Sequence, residues 1–176
     1  MSRVMDVRWI GRFFDERDVF VRLVLLDLSG LGYLLFGPGG PDRPPAQWWL
    51  AGAAFTVVLV LYRLPLVSAL TQAALLGVAY VLIDDATIHH VGAAWTLLEL
   101  AIRTRSAARL GTVAGVIAAA HLVDGTVIHP GRLAHAVLGA ATMIGVPILL
   151  GMLVHSSREL ARQTEERAAE ERRRRE

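Results

Sequence analysis

The chain has no cysteine, no lysine and little charge for its length. Among its 176 residues Cys is absent, and all eighteen basic residues are Arg. Without Cys, disulfides and thiolate chemistry are excluded. Only 19% of the residues are charged, whereas an ordinary soluble domain has about 25%. Arginine in place of lysine, with abundant Ala, Gly, Val and Leu, is typical of a GC-rich bacterial genome.

The charges that are present lie mainly at the two ends of the chain. Between Leu23 and Val154 the sequence consists largely of apolar runs, each near the length of about 20 residues that crosses a bilayer. We therefore predict an all-α, polytopic membrane protein whose first partner is the lipid bilayer. The basic clusters at both ends suit an anionic membrane surface better than nucleic acid. No cleavable signal peptide is evident.

Turn-forming residues divide the apolar region into six predicted transmembrane helices. A loop with four prolines follows the first span, and Pro65 suits the first turn of the third, where its missing N–H costs nothing. The predicted spans are about 19–36, 46–62, 65–83, 88–102, 110–128 and one that begins at 133.

The distribution of arginine predicts the topology of these spans. With six spans, the N-terminal tail, Arg63, the basic loop at 103–109 and the C-terminal tail all lie on one side. Only Arg43 and Arg132 lie on the other side. The positive-inside rule then places both termini in the cytoplasm. Five spans would separate the basic loop from the C-terminal tail, which argues against that number.

We divide the chain into three segments. Residues 1–18 form a cytoplasmic or interfacial segment, in which Trp9 and Phe13 share one helical face; a short disordered tail is the alternative. Residues 19–155 form the six-span membrane domain. Residues 156–176 continue the last span, without a Gly or Pro break, as a charged cytoplasmic helix.

Three stretches resemble the membrane sensor region of actinobacterial two-component histidine kinases. Tyr62-Arg63-Leu64-Pro65-Leu66 is similar to a hairpin between two spans of those sensors, and Ala94–Arg103 to a span with its arginine-rich loop. The stretch from Arg158 to Arg172 resembles the signalling helix that leads into the dimerisation and phosphoacceptor domain. The resemblance implies a homodimeric sensor in the bacterial cytoplasmic membrane, which relays a membrane or envelope signal.

The chain departs from that family in its chemistry. It contains neither a phosphoacceptor motif nor a Gly-rich ATP-binding segment, and His155 lies at the end of the last span, outside any such motif. We expect no catalytic residue in this chain. The kinase domains would lie beyond Glu176, and only through them would the module reach a cytoplasmic response regulator.

One group of polar residues is predicted to gather near the outer side of the membrane. Imidazole and carboxylate together suit a divalent metal or a proton sensor. Alternatively, these residues simply cap and solvate helix ends. Apart from a divalent metal at this group, no cofactor is expected. His121 and His135 could be a pair of axial haem ligands, but no other feature of the sequence supports a haem site. The group consists of Asp84, Asp85, His89, His90, His121, Asp124 and His135.

Two acidic residues, Asp27 and Glu99, fall inside predicted spans, where a carboxylate is costly. Arg103 is four residues after Glu99, within reach on the same helix. We favour intramembrane ion pairs at Asp27, Glu99 and Arg103; a proton relay is the alternative.

The last span contains a candidate hinge and a weak coiled-coil seam. Pro147 is expected to kink the helix, either as a hinge or as ordinary packing. Leu153, Ser157, Leu160 and Thr164 are spaced four and three apart, as in a heptad seam. The seam is apolar only at its two leucines, so we expect a transmitter and not the main dimer contact.

The sequence thus favours a sensor or anchor module of a histidine kinase. Two alternatives remain: a small transporter or membrane-enzyme subunit that uses Asp27, Glu99 and the outer His/Asp group, and a structural membrane anchor without a ligand.

Overall fold

The computed structural model describes residues 19–175, and every regular element in that range is helical. The predicted all-α class is thereby confirmed, while the predicted N-terminal segment 1–18 lies outside the described residues. The helices are α1 Val19–Phe36, α2 Pro45–Val60, α3 Pro65–Leu82, α4 Thr87–Arg103, α5 Ala107–Val123 and α6 Leu133–Arg175. A 3₁₀ turn, Gly40–Asp42, precedes α2, and a π-helical turn, Asp124–Ile128, extends α5.

Proline and glycine set the helix boundaries. Pro45 and Pro65 occupy the first positions of α2 and α3, where their fixed φ suits a helix start. Gly39 and Gly131 have φ of +88° and +99° in the loops before α2 and α6, a conformation that glycine adopts without steric cost. These loops therefore end where the sequence predicts.

Four helices are long and apolar enough to cross a membrane: α1, α3, α5 with its π-helical turn, and α6. Helix α2 is apolar but has 16 residues, and α4 has 17. Large apolar side chains are exposed on the outside of the bundle, among them Leu28, Val81, Val127 and Leu149. A surface of this kind suits lipid contact.

The shortest and most polar predicted span, α4, lies at the centre of the bundle. Eleven of its 17 residues are buried, compared with four of 18 in α1. It packs most extensively against α6 and α3. A helix that is surrounded by protein does not need an apolar surface for lipid, which explains its low hydropathy.

Small residues allow the helices to approach closely. Ala69 and Ala73 of α3 are fully buried in the main core together with Leu97 of α4. At Gly151 of α6, an added Cβ would lie 2.5 Å from the Cβ of Ala101. Small residues at such crossings are the usual means of close packing between membrane helices.

Candidate functional site

Asp85, in the loop before α4, is the centre of a hydrogen-bond network. Its Oδ2 accepts from Arg43 Nη1 at 2.7 Å and from the Tyr33 hydroxyl at 2.9 Å. Gln47 Nε2 donates to the same oxygen, and the Thr87 backbone N–H donates to Oδ1. Both oxygens are thus occupied by the protein itself. The network ties α1, the loop before α2, and α2 to the start of α4.

The network also controls the charge of Asp85. Burial by itself would raise the pKa of this carboxyl. The hydrogen bonds from Thr87, Tyr33 and Arg43 outweigh burial and lower the pKa well below its usual value. Arg43 is buried and its guanidinium lies 4.7 Å from the centroid of the Tyr33 ring, a cation–π geometry. Asp85 is thus held as a carboxylate in a clamp between helices.

Two of the predicted outer histidines, His90 and His121, lie together against Tyr80. The centroids of the two imidazole rings are 5.4 Å apart. His90 Nδ1 lies 2.9 Å from the Ala86 carbonyl oxygen. Because a carbonyl only accepts, this nitrogen donates, and His90 Nε2 accepts from the Tyr80 hydroxyl at 2.6 Å. By the same reasoning His121 Nδ1 donates to the Ile117 carbonyl oxygen at 2.9 Å.

Among the described residues, no hydrogen bond joins the other members of the predicted outer group to this pair. Asp124, three residues after His121, is hydrogen-bonded to His129, since its Oδ1 lies 2.9 Å from His129 Nδ1. His89 is buried, whereas Asp84 and His135 are exposed.

Among residues 19–175, no group of three or more His, Cys, Asp or Glu side chains is arranged to hold a metal ion. The ring beside His121 belongs to His90, so the pairing of His121 with His135 gains no support from the fold.

The two carboxylates predicted to lie inside spans, Asp27 and Glu99, differ in their surroundings. Glu99 Oε1 accepts from Arg22 Nη2 at 2.9 Å and from Arg22 Nε at 3.3 Å. Arg103 Nη2 lies 3.6 Å from Glu99 Oε2 and its Nη1 donates to the Tyr62 carbonyl oxygen. Arg22 and Glu99 are 2% and 6% exposed. This charged cluster joins α1 to the second half of α4.

Asp27 makes no ion pair with any described residue. Its Oδ2 is buried and has no hydrogen-bond partner there, which differs from the ion pair predicted for it. The physical reason is helix geometry: Arg22 is five residues away, on another face of α1, and points to Glu99.

A cavity of about 150 Å³ lies beside Asp27, between α1, α2, α3 and α4. Its walls are mostly apolar and include Leu26, Phe55 and Ile88. Gln72 contributes a polar group from the core of α3.

Where α6 leaves the bundle, His155 connects it to the end of α4. His155 Nδ1 lies 3.0 Å from the Ile102 carbonyl oxygen, to which it donates. Its Nε2 accepts from Arg105 Nε at 2.6 Å. One turn earlier, Gly151 contacts Ala101. We call the contact of His155 with Ile102 and Arg105 the exit contact.

Sequence reasoning missed the Arg22–Glu99 pair, the Asp85 network and the exit contact. Each includes at least one pair of residues more than 40 positions apart, and local spacing carries no signal for such pairs. No protein-family model matches the chain, and neither a curated protein nor a solved structure matches it.

Proposed function

We propose that the chain is the membrane sensor and anchor module of a two-component histidine kinase. It relays a membrane or envelope signal through α6 to a dimerisation and phosphoacceptor domain beyond Glu176. A response regulator is reached only through that domain. The module is a homodimer in the bacterial cytoplasmic membrane, with six spans and both termini in the cytoplasm. Helices α2 and α4 complete the six, and the positive-inside pattern supports that count.

The observation that carries the proposal is the continuity of α6. The helix has 43 residues and continues through Pro147 without interruption. At 1.5 Å per residue it is about 65 Å long, whereas the apolar core of a bilayer is about 30 Å thick. Roughly half of the helix therefore projects beyond the membrane, and it is that half that carries the charged sequence.

The contacts between α4 and α6 support a mechanical coupling. Helix α4 lies at the centre of the bundle, and its end is bonded to α6 through the exit contact. Gly151 fixes the spacing of the two helices just inside that point. A displacement of α4 would therefore reach the projecting part of α6.

The exposed seam of α6 supports a second copy of the chain as partner. Leu153 and Leu160 are each 63% exposed. The hydroxyls of Ser157 and Thr164 donate to carbonyl oxygens of their own helix, so they need no partner across a dimer. Two leucines give a weak seam, as a transmitter helix requires.

A register scan tests the proposal. Residues 1–176 are joined in helical register to the dimerisation and catalytic core of a well-behaved histidine kinase, with zero to seven alanines inserted at the junction. We expect autophosphorylation in membrane vesicles to rise and fall with the helical repeat of about 3.6 residues. The same insertions in a flexible Gly/Ser junction are the control. Fusions that are inactive in every register, or equally active in all, would contradict the proposal.

A further inference from the structure

Two residues in the walls of the cavity between α1, α2, α3 and α4 have a buried hydrogen-bond acceptor that receives no hydrogen bond from any described residue. Gln72 is 0% exposed, and its Nε2 donates to the Ala54 carbonyl oxygen at 2.7 Å. That bond fixes the orientation of the amide, so Oε1 is the free end. Oε1 has no hydrogen-bond partner among the described residues. Asp27 lines the same cavity, and its Oδ2 is likewise buried without a partner among the described residues.

Three hydroxyl groups line the cavity, those of Ser29, Tyr33 and Thr87, and all are used elsewhere. The Ser29 hydroxyl donates to the Leu26 carbonyl oxygen at 2.7 Å. The hydroxyls of Tyr33 and Thr87 are hydrogen-bonded to Asp85. None of the three is left to satisfy Asp27 or Gln72. Buried polar groups in proteins nearly always have a partner, and an unpaired one is costly. The unmade bonds at these two acceptors therefore point to a missing donor.

We propose that this cavity binds a small lipophilic amine. An ammonium group has donors and no acceptor, which matches a wall that offers acceptors only, and a carboxylate favours a cation. Water or an alcohol could also donate to these acceptors but has no positive charge to pair with the carboxylate. A cavity of about 150 Å³ accommodates a benzene-sized group, and the apolar side chains of Leu26, Phe55 and Ile88 suit one.

The amine enters from the lipid side, between α1 and α4. Val91 lines the cavity and is 44% exposed, and Ser29 lines it from α1 and is also exposed. Gly92, the residue after Val91, leaves room for Gln72, since a Cβ there would lie 2.9 Å from Gln72 Oε1. A substitution at Val91 can close the mouth without disturbing the core.

Helix α4 connects the cavity to the exit contact. It lines the cavity with Ile88 and Gly92 and carries Glu99 and the Ile102 carbonyl oxygen further along. An effect of the amine on α6 rests on the proposed function. Binding of the amine does not, and it is measured separately.

Benzylamine is the probe, with toluene and benzyl alcohol as matched ligands without the ammonium. The full chain in lipid nanodiscs is titrated by isothermal calorimetry. We expect saturable binding of benzylamine, at least about tenfold tighter than that of either matched ligand. Asp27→Asn is expected to weaken benzylamine by about tenfold or more and to leave toluene unchanged.

Val91→Trp should abolish binding by closing the mouth, whereas Val81→Trp, at an exposed position that does not line the cavity, should bind as wild type. The Trp pair keeps the test decisive if Asp27→Asn does not fold. Absence of saturable benzylamine binding, equal binding of benzyl alcohol, or binding that survives Val91→Trp would overturn the assignment. If benzylamine binds but a kinase fusion that is active in the register scan never responds to it, the coupling of the cavity to α6 fails and the binding site stands; a fusion inactive in every register would instead contradict the proposed function.

Discussion

The buried pair of Arg22 and Glu99 predicts a large loss of stability when one partner is removed. Arg22→Met keeps a long apolar side chain but takes away both hydrogen bonds to Glu99 Oε1. Exposed ion pairs contribute at most about 1 kcal/mol, whereas breaking a buried pair costs about 3–5 kcal/mol. The exposures of 2% and 6% place this pair in the buried class.

Arg103 limits the loss of stability that we expect in Arg22→Met, because it remains beside Glu99 in the variant. Arg103 stays 3.6 Å from Glu99 Oε2, so we expect the low end of that range, about 3 kcal/mol. For a chain of this size each kcal/mol lowers the Tm by about 2–4 °C, which gives a decrease of roughly 6–12 °C.

The assay is thermal unfolding of the purified protein in one detergent, followed by circular dichroism. Arg63→Met is the matched control, because Arg63 is exposed and, among the described residues, its side chain forms a hydrogen bond and a cation–π contact with its neighbour Tyr62 and no ion pair. It should change the Tm by less than about 2 °C. The double variant Arg22→Met/Glu99→Leu should recover most of the loss, since apolar replacement of both partners is often neutral. A Tm of Arg22→Met equal to wild type, or additive losses in the double variant, would refute the reasoning.

Three further predictions concern the Asp85 network, the α4–α6 crossing and the seam. Because the folded-state pKa of Asp85 is lowered, its contribution to stability is complete above the unfolded value of about 3.9. The contribution is lost as pH falls below that value, so Asp85→Asn should flatten the Tm-versus-pH curve below about pH 4, and an unchanged curve would contradict this. Gly151→Ala should destabilise by about 1–3 kcal/mol, because its Cβ meets the neighbouring helix. Gly145 has open space around it, so Gly145→Ala should be neutral or stabilising in chemical unfolding. If both alanine variants changed the stability equally, a close crossing of α4 and α6 at Gly151 would be contradicted. In this cysteine-free chain, oxidation in vesicles should cross-link Leu160→Cys into a dimer but not Glu159→Cys, and equal yields would argue against the seam.

The sequence predicted the helices well because hydropathy, proline and glycine act locally. The predicted first span coincides with α1, and Pro65 opens α3 as expected. Class and helix boundaries follow from the exclusion of polar backbone from lipid. Whether a helix is counted as crossing the membrane depends in addition on what surrounds it. Helix α4 is the clearest example, because it is polar in sequence and surrounded by other helices.

The site was predicted only in part, because pairing depends on helix rotation and on distant residues. His90 and His121 do lie together, but Asp85 belongs to the separate network with Arg43. The spacing of Glu99 and Arg103 indicated one half of the charged cluster, and nothing local indicated Arg22. The unpaired acceptors at the cavity also become visible only when four helices are packed.

The exit contact at His155 provides the most direct test that the bundle controls α6. In the active kinase fusion, His155→Phe keeps the ring volume and removes both hydrogen bonds, to Ile102 and from Arg105. His135→Phe alters an exposed histidine of the same helix and is the control. We expect autophosphorylation in vesicles to change at least about threefold in His155→Phe, on the order of one lost hydrogen bond, and to stay at the wild-type rate in His135→Phe. Equal rates in all three proteins, at equal amounts of folded fusion, would contradict the control of α6 by the bundle.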